Sequence, residues 1–174
     1  MALSKIDAVN FLTGTIPSGN IATSSLAAAA TGKVLQVVAT QGINIFSTTS
    51  ASFVDATSLS LTITPVATSS KILLLFNANM YQNTISQYWA IRWERAISGG
   101  ATSHIGNSTY GLSFARSAIA HDFWGGVGMP YLDSPSTTSE ITYQVQAKST
   151  GGGTAGVGEN STNQNTIMAL EISG

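Results

Sequence analysis

The sequence predicts an all-β protein, a β-sandwich of about eight or nine strands preceded by an extended N-terminal arm. Apolar and polar residues alternate with a period of two in several segments, as in strands with one face on a core and one in water. Turn residues separate these segments at short spacing, and no strand–helix–strand pattern is present. No internal repeat of about 20–50 residues is visible, which argues against a propeller or a solenoid.

The clearest strand signals lie on either side of Pro65. In Ser58–Thr64 every second residue is apolar, which predicts a strand with one buried face. Pro65 is expected to end this strand because proline has no backbone N–H to donate. The run Ile72–Phe76 is wholly apolar, which is typical of a strand covered on both faces, in the middle of a sandwich or at a subunit contact. The residues of the first strand expected to face the core are Leu59, Leu61 and Ile63.

Other segments carry weaker but similar patterns. Ser108–Ala120 is compatible with a strand or a loop, and Ser134–Ser139 is predicted to be a loop. Gly151–Gly158 and Glu159–Asn165 are rich in glycine and asparagine, which predicts one long flexible loop at a tip. A polar turn is predicted over Gln82–Ser86. Further strands are predicted over Lys33–Thr40, Ile43–Ser47, Asn77–Tyr81, Tyr88–Ile97, Asp122–Met129, Glu140–Lys148 and Thr166–Ile172.

The segment Met1–Thr31 differs from the rest, because it has many small residues and little period-two patterning. A short helix is predicted over Ile21–Ala30, with Thr23 or Ser24 as its N-cap. This arm cannot bury enough apolar surface to order itself, so we expect it to lie against another subunit or against its own domain. The residues expected to make that contact are Phe11, Leu12, Ile16, Ile21 and Leu26.

Composition excludes several classes of function. Charged residues make up only 9% of the chain, and the net charge of −1 leaves no basic stripe for nucleic acid. The absence of cysteine excludes disulfides, thiolate catalysis and cysteine-based metal sites. The N-terminus does not resemble a signal peptide, and no apolar run is long enough to insert into a membrane.

The few titratable residues do not form a recognisable catalytic or metal site. His104 and His121 are expected in loops, and His121-Asp122 is the nearest approach to an acid–base pair, although a turn at the start of a strand explains it. The eight acidic residues show no pairing of the kind that hydrolyses glycosides. Asp55 is expected to end a strand and bind backbone N–H groups of the next turn. No enzyme activity, cofactor or metal is therefore expected.

Aromatic residues and arginines cluster in the segment that follows Tyr88. Such a mixture can form a sugar-stacking surface or an interface with a protein partner. Alternation assigns Trp89, Ile91 and Trp93 to the core. Glu94 is expected to pair with an arginine on a neighbouring strand. The residues left as a candidate interface or glycan patch are Tyr88, Arg92 and Arg95.

Several segments carry a resemblance to a known class of protein. A polar arm is followed by GKVLQVV, then by the strand pair around Pro65, then by a closing strand that ends in Glu-Ile-Ser-Gly. This order resembles small phage virion proteins, whose domains form the distal heads of tail fibres or decorate capsids. In the middle of the chain, from about Tyr81 to Ser139, only the general character of the sequence is similar, and no specific motif matches. The matching segments are Gly32–Val38, Ser52–Asp55, Leu59–Pro65, Ser69–Leu73 and Ile167–Gly174.

The resemblance implies a jelly-roll-like sandwich that forms a trimer, assembled in the host cytoplasm and located in the virion. Two roles compete, and a role unrelated to virions is a third reading. A capsid cement protein would bind the major capsid protein through its arm, whereas a tail-fibre or head-fibre tip would bind a host receptor or surface glycan. The cement role is favoured because the arm is long enough to attach the protein to a capsid but too short to form a fibre shaft.

Overall fold

The computed structural model describes residues 33–84, 87–116, 123–150, 152–158 and 164–174. In these residues the regular elements are β-strands, arranged as two antiparallel sheets. The strands are β1 (Val34–Gly42), β2 (Phe46–Thr48), β3 (Val54–Ile63), β4 (Lys71–Gln82), β5 (Tyr88–Ile97), β6 (Thr102–Ile105), β7 (Ser113–Arg116), β8 (Phe123–Gly128), β9 (Tyr131–Asp133), β10 (Ile141–Ser149), β11 (Ala155–Val157) and β12 (Asn165–Ile172).

The strand order is that of a jelly roll. In the first sheet β1 pairs with β12, β12 with β4, and the far edge of β4 with β9 and β8. The short strands β2 and β11 extend β1 and β12 along the same sheet. In the second sheet the order is β3, β10, β5, and both β6 and β7 then pair with β5, β7 with its first half and β6 with its second half. The seven strands of the first sheet and the five of the second form two layers whose strand order is that of a double Greek key, which confirms the predicted jelly-roll-like sandwich.

The core lies between the sheets and contains the residues that alternation assigned to it. Leu59, Leu61 and Ile63 are buried, and β3 ends before Pro65, as predicted. Trp93 packs edge-on against Phe76 of the opposite sheet, with ring centroids 6.2 Å apart. Its indole N–H donates to the Met129 carbonyl at 3.3 Å, so its polar atom is satisfied inside the core. The other tryptophan of β5, Trp89, and Ile91 are buried beside it.

One end of the core carries two buried carboxylates, Glu171 and Asp133, on either side of Ile72. Glu171 accepts hydrogen bonds from Gln36 Nε2 at 2.6 Å and from the Val66 amide at 2.8 Å. Burial alone would raise the pKa of Glu171, but hydrogen bonding with the side chains of Ser70 and Gln36 and with the backbone of Val66 and Ala67 lowers it below its ordinary value. Glu171 therefore holds the turn that follows β3 against β12.

Two sequence predictions fail in this region of the fold. The segment 151–158 is not simply a flexible tip, because its middle forms β11 between β2 and β4. Ala155 and Val157 are buried there. Gly158 (φ +68°) lies so close to Asn165 and the Asn44 carbonyl that a Cβ atom would collide with both. Gln82, expected in a polar turn, ends β4 and is fully buried.

Several predictions lie outside the described residues. They include the arm, the helix over Ile21–Ala30, the pair His121-Asp122 and most of Glu159–Asn165. Within the described ranges, no helix has the length and apolar character needed to cross a membrane.

Candidate interaction surfaces

The outer face of the first sheet is apolar. The run Ile72–Phe76 is buried only at alternate positions, and Leu73 and Leu75 are half-buried on the outside, so one chain does not cover both faces. Strand pairing places outward residues of four adjacent strands in register across the sheet. We call this surface the apolar face, and its residues are Val37, Ala39, Leu73, Leu75, Leu132, Met168 and Leu170.

The apolar face contains a hollow and exposes large side chains. Val37 is 54% exposed and Leu132 is 50% exposed, although both belong to regular strands. The hollow, of about 420 Å³, is lined by Leu75, Phe76, Asn77, Pro130, Thr166 and Met168. An apolar surface of this kind on one side of a sheet marks a contact with another surface.

The first described strand begins at the border of the apolar face. The chain enters β1 at Val34, which pairs with Ile172 at the end of β12. A cation, Lys71, borders the face at the same end, and its Nζ donates to Ser134 Oγ at 3.0 Å. The five predicted contact residues of the arm (Phe11, Leu12, Ile16, Ile21 and Leu26) lie outside the described residues.

The outer face of the second sheet is polar and is organised around Gln146, which is almost completely buried. Its Oε1 accepts from Arg92 Nε at 2.7 Å. Its Nε2 donates to Asp55 Oδ1 and to Glu94 Oε2, both at 2.8 Å. The prediction for Asp55 is therefore wrong, because Asp55 lies inside β3 opposite Gln146 and binds this side chain.

The prediction for Glu94 is also wrong. Its partners on the two neighbouring strands are Gln146 of β10 and His104 of β6, and the register places His104 opposite Glu94. His104 Nδ1 lies 3.3 Å from Glu94 Oε2. His104 thus belongs to a strand and not to a loop.

Two cations lie over one aromatic ring beside this network. Arg92 Cζ is 4.1 Å from the centroid of the Phe53 ring, and Lys148 Nζ is 4.8 Å from it. Lys148 Nζ is also 5.9 Å from the Tyr88 ring. Burial lowers the pKa of Arg92, and burial together with the nearby Arg92 charge lowers the pKa of Lys148. The rings compensate in part for the lost hydration of both cations.

Three aromatic rings form a cluster next to the cations. The ring centroids of Tyr88 and Tyr110 are 5.4 Å apart, and those of Tyr110 and Phe114 are 5.0 Å apart. Tyr110 is 46% exposed and Phe114 is 55% exposed. The cluster borders a cleft of about 480 Å³, which we call the aromatic cleft; its lining residues are Gln87, Tyr88, Tyr110, Phe114, Arg116 and Thr150.

Tight local geometry positions the aromatic cleft. Phe114 of β7 lies opposite Ala90 of β5, and Gly111, in the turn before β7, packs directly on the Ile91 carbonyl. The Tyr88 amide donates to Thr150 Oγ1 at 3.0 Å, which fixes the hydroxyl at the edge of the cleft. Backbone pairing thus holds the aromatic residues together, although they are far apart in the sequence.

The structure separates the three residues predicted as an interface or glycan patch. Tyr88 lines the aromatic cleft, and Arg92 lies on the same outer face under the cover of Phe53. Arg95 faces the other way, and its guanidinium binds Asp133. Sequence reasoning missed Tyr110 and Phe114, because they lie in the segment whose pattern fits a strand or a loop equally well.

The described residues contain no group of three or more His, Asp or Glu side chains that could hold a metal ion. The surfaces above can instead bind by apolar contact, aromatic stacking and hydrogen bonding.

No protein family model and no curated protein matches the chain. Among solved structures, it is similar to that of infectious bursal disease virus, Gx strain (12% identity, TM-score 0.40), covering 80% of this chain and 37% of that chain. It is also similar to the VP2 subviral particle of the same virus (13% identity, TM-score 0.41), covering 80% of this chain and 38% of that chain. These values are too low to bear on function, so the jelly-roll assignment rests on strand order.

Proposed function

We propose that this chain is a non-enzymatic phage virion structural protein, a trimeric capsid cement or decoration protein that stabilises the shell through its N-terminal arm. The observation that carries the proposal is that the chain enters β1 at Val34, at the border of the apolar face. We expect the arm and the face to bind the same partner, the major capsid protein. The sequence resemblance to small phage virion proteins supports the same role.

The physical argument concerns the surface that one copy leaves uncovered. Val37 and Leu132 are about half exposed on the apolar face, and the hollow beside Met168 is open to an inserted side chain. Covering such a surface contributes about 25 cal/mol for each Å² of apolar area removed from water. A shell surface with apolar projections fits this chemistry, because the side chains of the apolar face carry no charge that would have to be desolvated.

The arm provides reach in addition to area. A fully extended chain spans about 3.3–3.6 Å per residue, so Met1–Thr31 covers on the order of 100 Å. An arm of that reach can extend from its own sandwich to neighbouring capsid subunits. A second contact made by the arm raises the overall affinity, because the second binding event is then intramolecular.

Deletion of Met1–Thr31 tests the proposal. The sandwich is expected to stay folded and trimeric, with a β-type circular dichroism spectrum, while binding to expanded capsid shells is lost. A full-length variant with Val37→Lys and Leu132→Lys should weaken shell binding through the face alone. The matched control is Thr62→Lys, an exposed site on the second sheet, which should bind normally. Normal decoration by the truncated protein, or a monomeric mass for the full chain, would overturn the proposal.

A tail-fibre or head-fibre tip that binds the host surface is the second candidate function. The aromatic cleft favours it, because exposed rings with polar neighbours are typical of recognition sites. Labelled antibody on intact particles separates the two roles. Label at regular positions over the head supports the cement role, and label confined to the tail supports the fibre role.

A further inference from the structure

We infer that the aromatic cleft is a saccharide-binding site, in which a pyranose ring stacks on Tyr110 and Phe114 while its hydroxyls bind the polar rim. This inference concerns the second sheet and holds whether the protein sits on the head or on the tail. It is therefore independent of the cement proposal, which concerns the first sheet and the arm.

The exposure and orientation of the Tyr110 and Phe114 rings suit the stacking of a sugar ring. Tyr110 and Phe114 expose about half of their surface, although each makes ring contacts with the other and with Tyr88. Their planes are inclined by 39°, so together they form a shallow angled platform and not a flat stack. The C–H groups on one face of a sugar ring are apolar and complement the negative face of an aromatic ring.

Polar side chains at the rim of the cleft are placed to bind the hydroxyls of the sugar. Gln87 and Thr150 line the cleft beside the rings, and the Thr150 hydroxyl lies 3.1 Å from Gln87 Oε1. Arg116 lines the cleft from β7, directly opposite Tyr88 in the register. The Gln87 amide and the Arg116 guanidinium supply N–H donors for sugar hydroxyls, and Thr150, which donates to Gln87 Oε1 and accepts from the Tyr88 amide, holds Gln87 in place. A site of about 480 Å³ also lies within the range of about 300–1,000 Å³ for small-molecule sites.

The shape of the surface favours a sugar over a protein partner. A protein interface of standard size buries about 800 Å² on each partner and is dominated by a desolvated apolar centre. Here the aromatic platform is small and is bounded by the polar network of Gln146 and by two cations over Phe53. Lys148 Nζ, 5.9 Å from the Tyr88 ring, and Arg116 in the lining place positive charge at the cleft, which suits an acidic sugar as well as a neutral one.

Binding of the full-length protein to immobilised oligosaccharides tests this inference. The probes are neutral hexose and N-acetylhexosamine oligomers, together with oligomers that contain uronic or sialic acid. We expect saturable binding to at least one probe, with a loss of about tenfold or more in affinity for Tyr110→Ala and for Phe114→Ala. Phe114→Tyr, which keeps the ring, should retain binding, and Leu132→Ala on the apolar face should leave it unchanged.

Each result decides the question. Preferential binding of the acidic oligomers that weakens as salt is added would identify an anionic sugar. Binding of the neutral oligomers that does not change with added salt would identify a neutral sugar. Both results support the site. Absence of binding to every probe, or equal binding by the alanine variants, would overturn it. Unchanged thermal unfolding of the variants establishes that any loss reflects the missing ring. Failure here leaves shell binding intact, so it is distinguishable from failure of the cement proposal.

Discussion

Arg95 Nη1 lies 2.8 Å from Asp133 Oδ1 and 3.0 Å from Asp133 Oδ2, and this ion pair joins the two sheets of the sandwich. Arg95 belongs to β5 of the second sheet, whereas Asp133 ends β9 of the first. The Tyr143 hydroxyl donates to Asp133 Oδ2 at 2.6 Å from β10. Burial, and then the hydrogen bond to Asp133, raises the pKa of Tyr143, so its hydroxyl stays protonated and remains a donor.

Asp133→Asn is expected to destabilise the protein by about 3 kcal/mol, because it leaves a guanidinium without its charge partner in a largely buried site. Urea unfolding measures the change. Tyr143→Phe should cost about 1 kcal/mol, the typical net value of one hydrogen bond. The double variant should cost less than the sum of the two, since both substitutions remove the same contact. Strict additivity would contradict this arrangement, and Ser134→Ala provides a neighbouring control with little expected effect.

Glu171→Gln is expected to reduce stability at neutral pH and to weaken its dependence on acid. The folded-state pKa of Glu171 is below its ordinary value of 4.5, so the unfolded chain takes up a proton first as the pH falls. The stability due to this carboxylate is therefore present above about pH 4.5 and is lost as the pH drops towards the folded-state pKa. Urea midpoints measured between about pH 3 and pH 7 test this sign.

The glutamine variant should lose about 1–3 kcal/mol at pH 7, because its amide nitrogen cannot accept from Gln36 or from the Val66 N–H. Glu140→Gln is the matched control, since Glu140 is exposed at the start of β10. It should change the acid dependence little. An unchanged acid limb in Glu171→Gln would contradict the role assigned to this carboxylate.

Gln146→Leu is expected to destabilise the second sheet by about 2 kcal/mol. Gln146 is the common partner of Arg92, Asp55 and Glu94, and leucine leaves all three without that hydrogen bond. Thermal unfolding measures the loss. Thr142→Val changes an outward residue of the same strand, four positions before Gln146, and should have a small effect. Equal effects of the two substitutions would show that Gln146 does not organise the network.

Alternation was sufficient to predict the sandwich, because the apolar residues of each half-buried strand identify its inner face, whichever strands lie beside it. Leu59, Leu61 and Ile63 are recognisable from their spacing alone. The partners of polar residues were not predictable in this way. Whether Asp55 caps a turn or binds Gln146 depends on which strand lies beside β3, and that is set by long-range pairing across 91 positions.

The candidate sites illustrate the same limit. Tyr88 was recognised from its own segment, but the cleft also needs Tyr110 and Phe114, which reach it through a turn with no clear periodicity. Arg95 was grouped with Tyr88 and Arg92 by sequence proximity. Arg95 comes three positions after Arg92 on β5, and side chains an odd number of positions apart on a strand point to opposite faces, so Arg95 points towards Asp133 and the sandwich interior.

Gly111→Ala is expected to destabilise the protein by about 3 kcal/mol or more and to disrupt the aromatic cleft. Gly111 has φ +65°, and a Cβ atom there would lie 2.1 Å from the Ile91 carbonyl oxygen. The turn must therefore move away from β5, and Tyr110 moves with it. Gly152→Ala is a matched control, because Gly152 has φ +83° but a Cβ atom there meets nothing within 4 Å. It carries the backbone penalty of about 1 kcal/mol without the collision. Thermal unfolding should rank the two variants in this order, and equal losses would mean that the close contact at Ile91 does not restrain the turn.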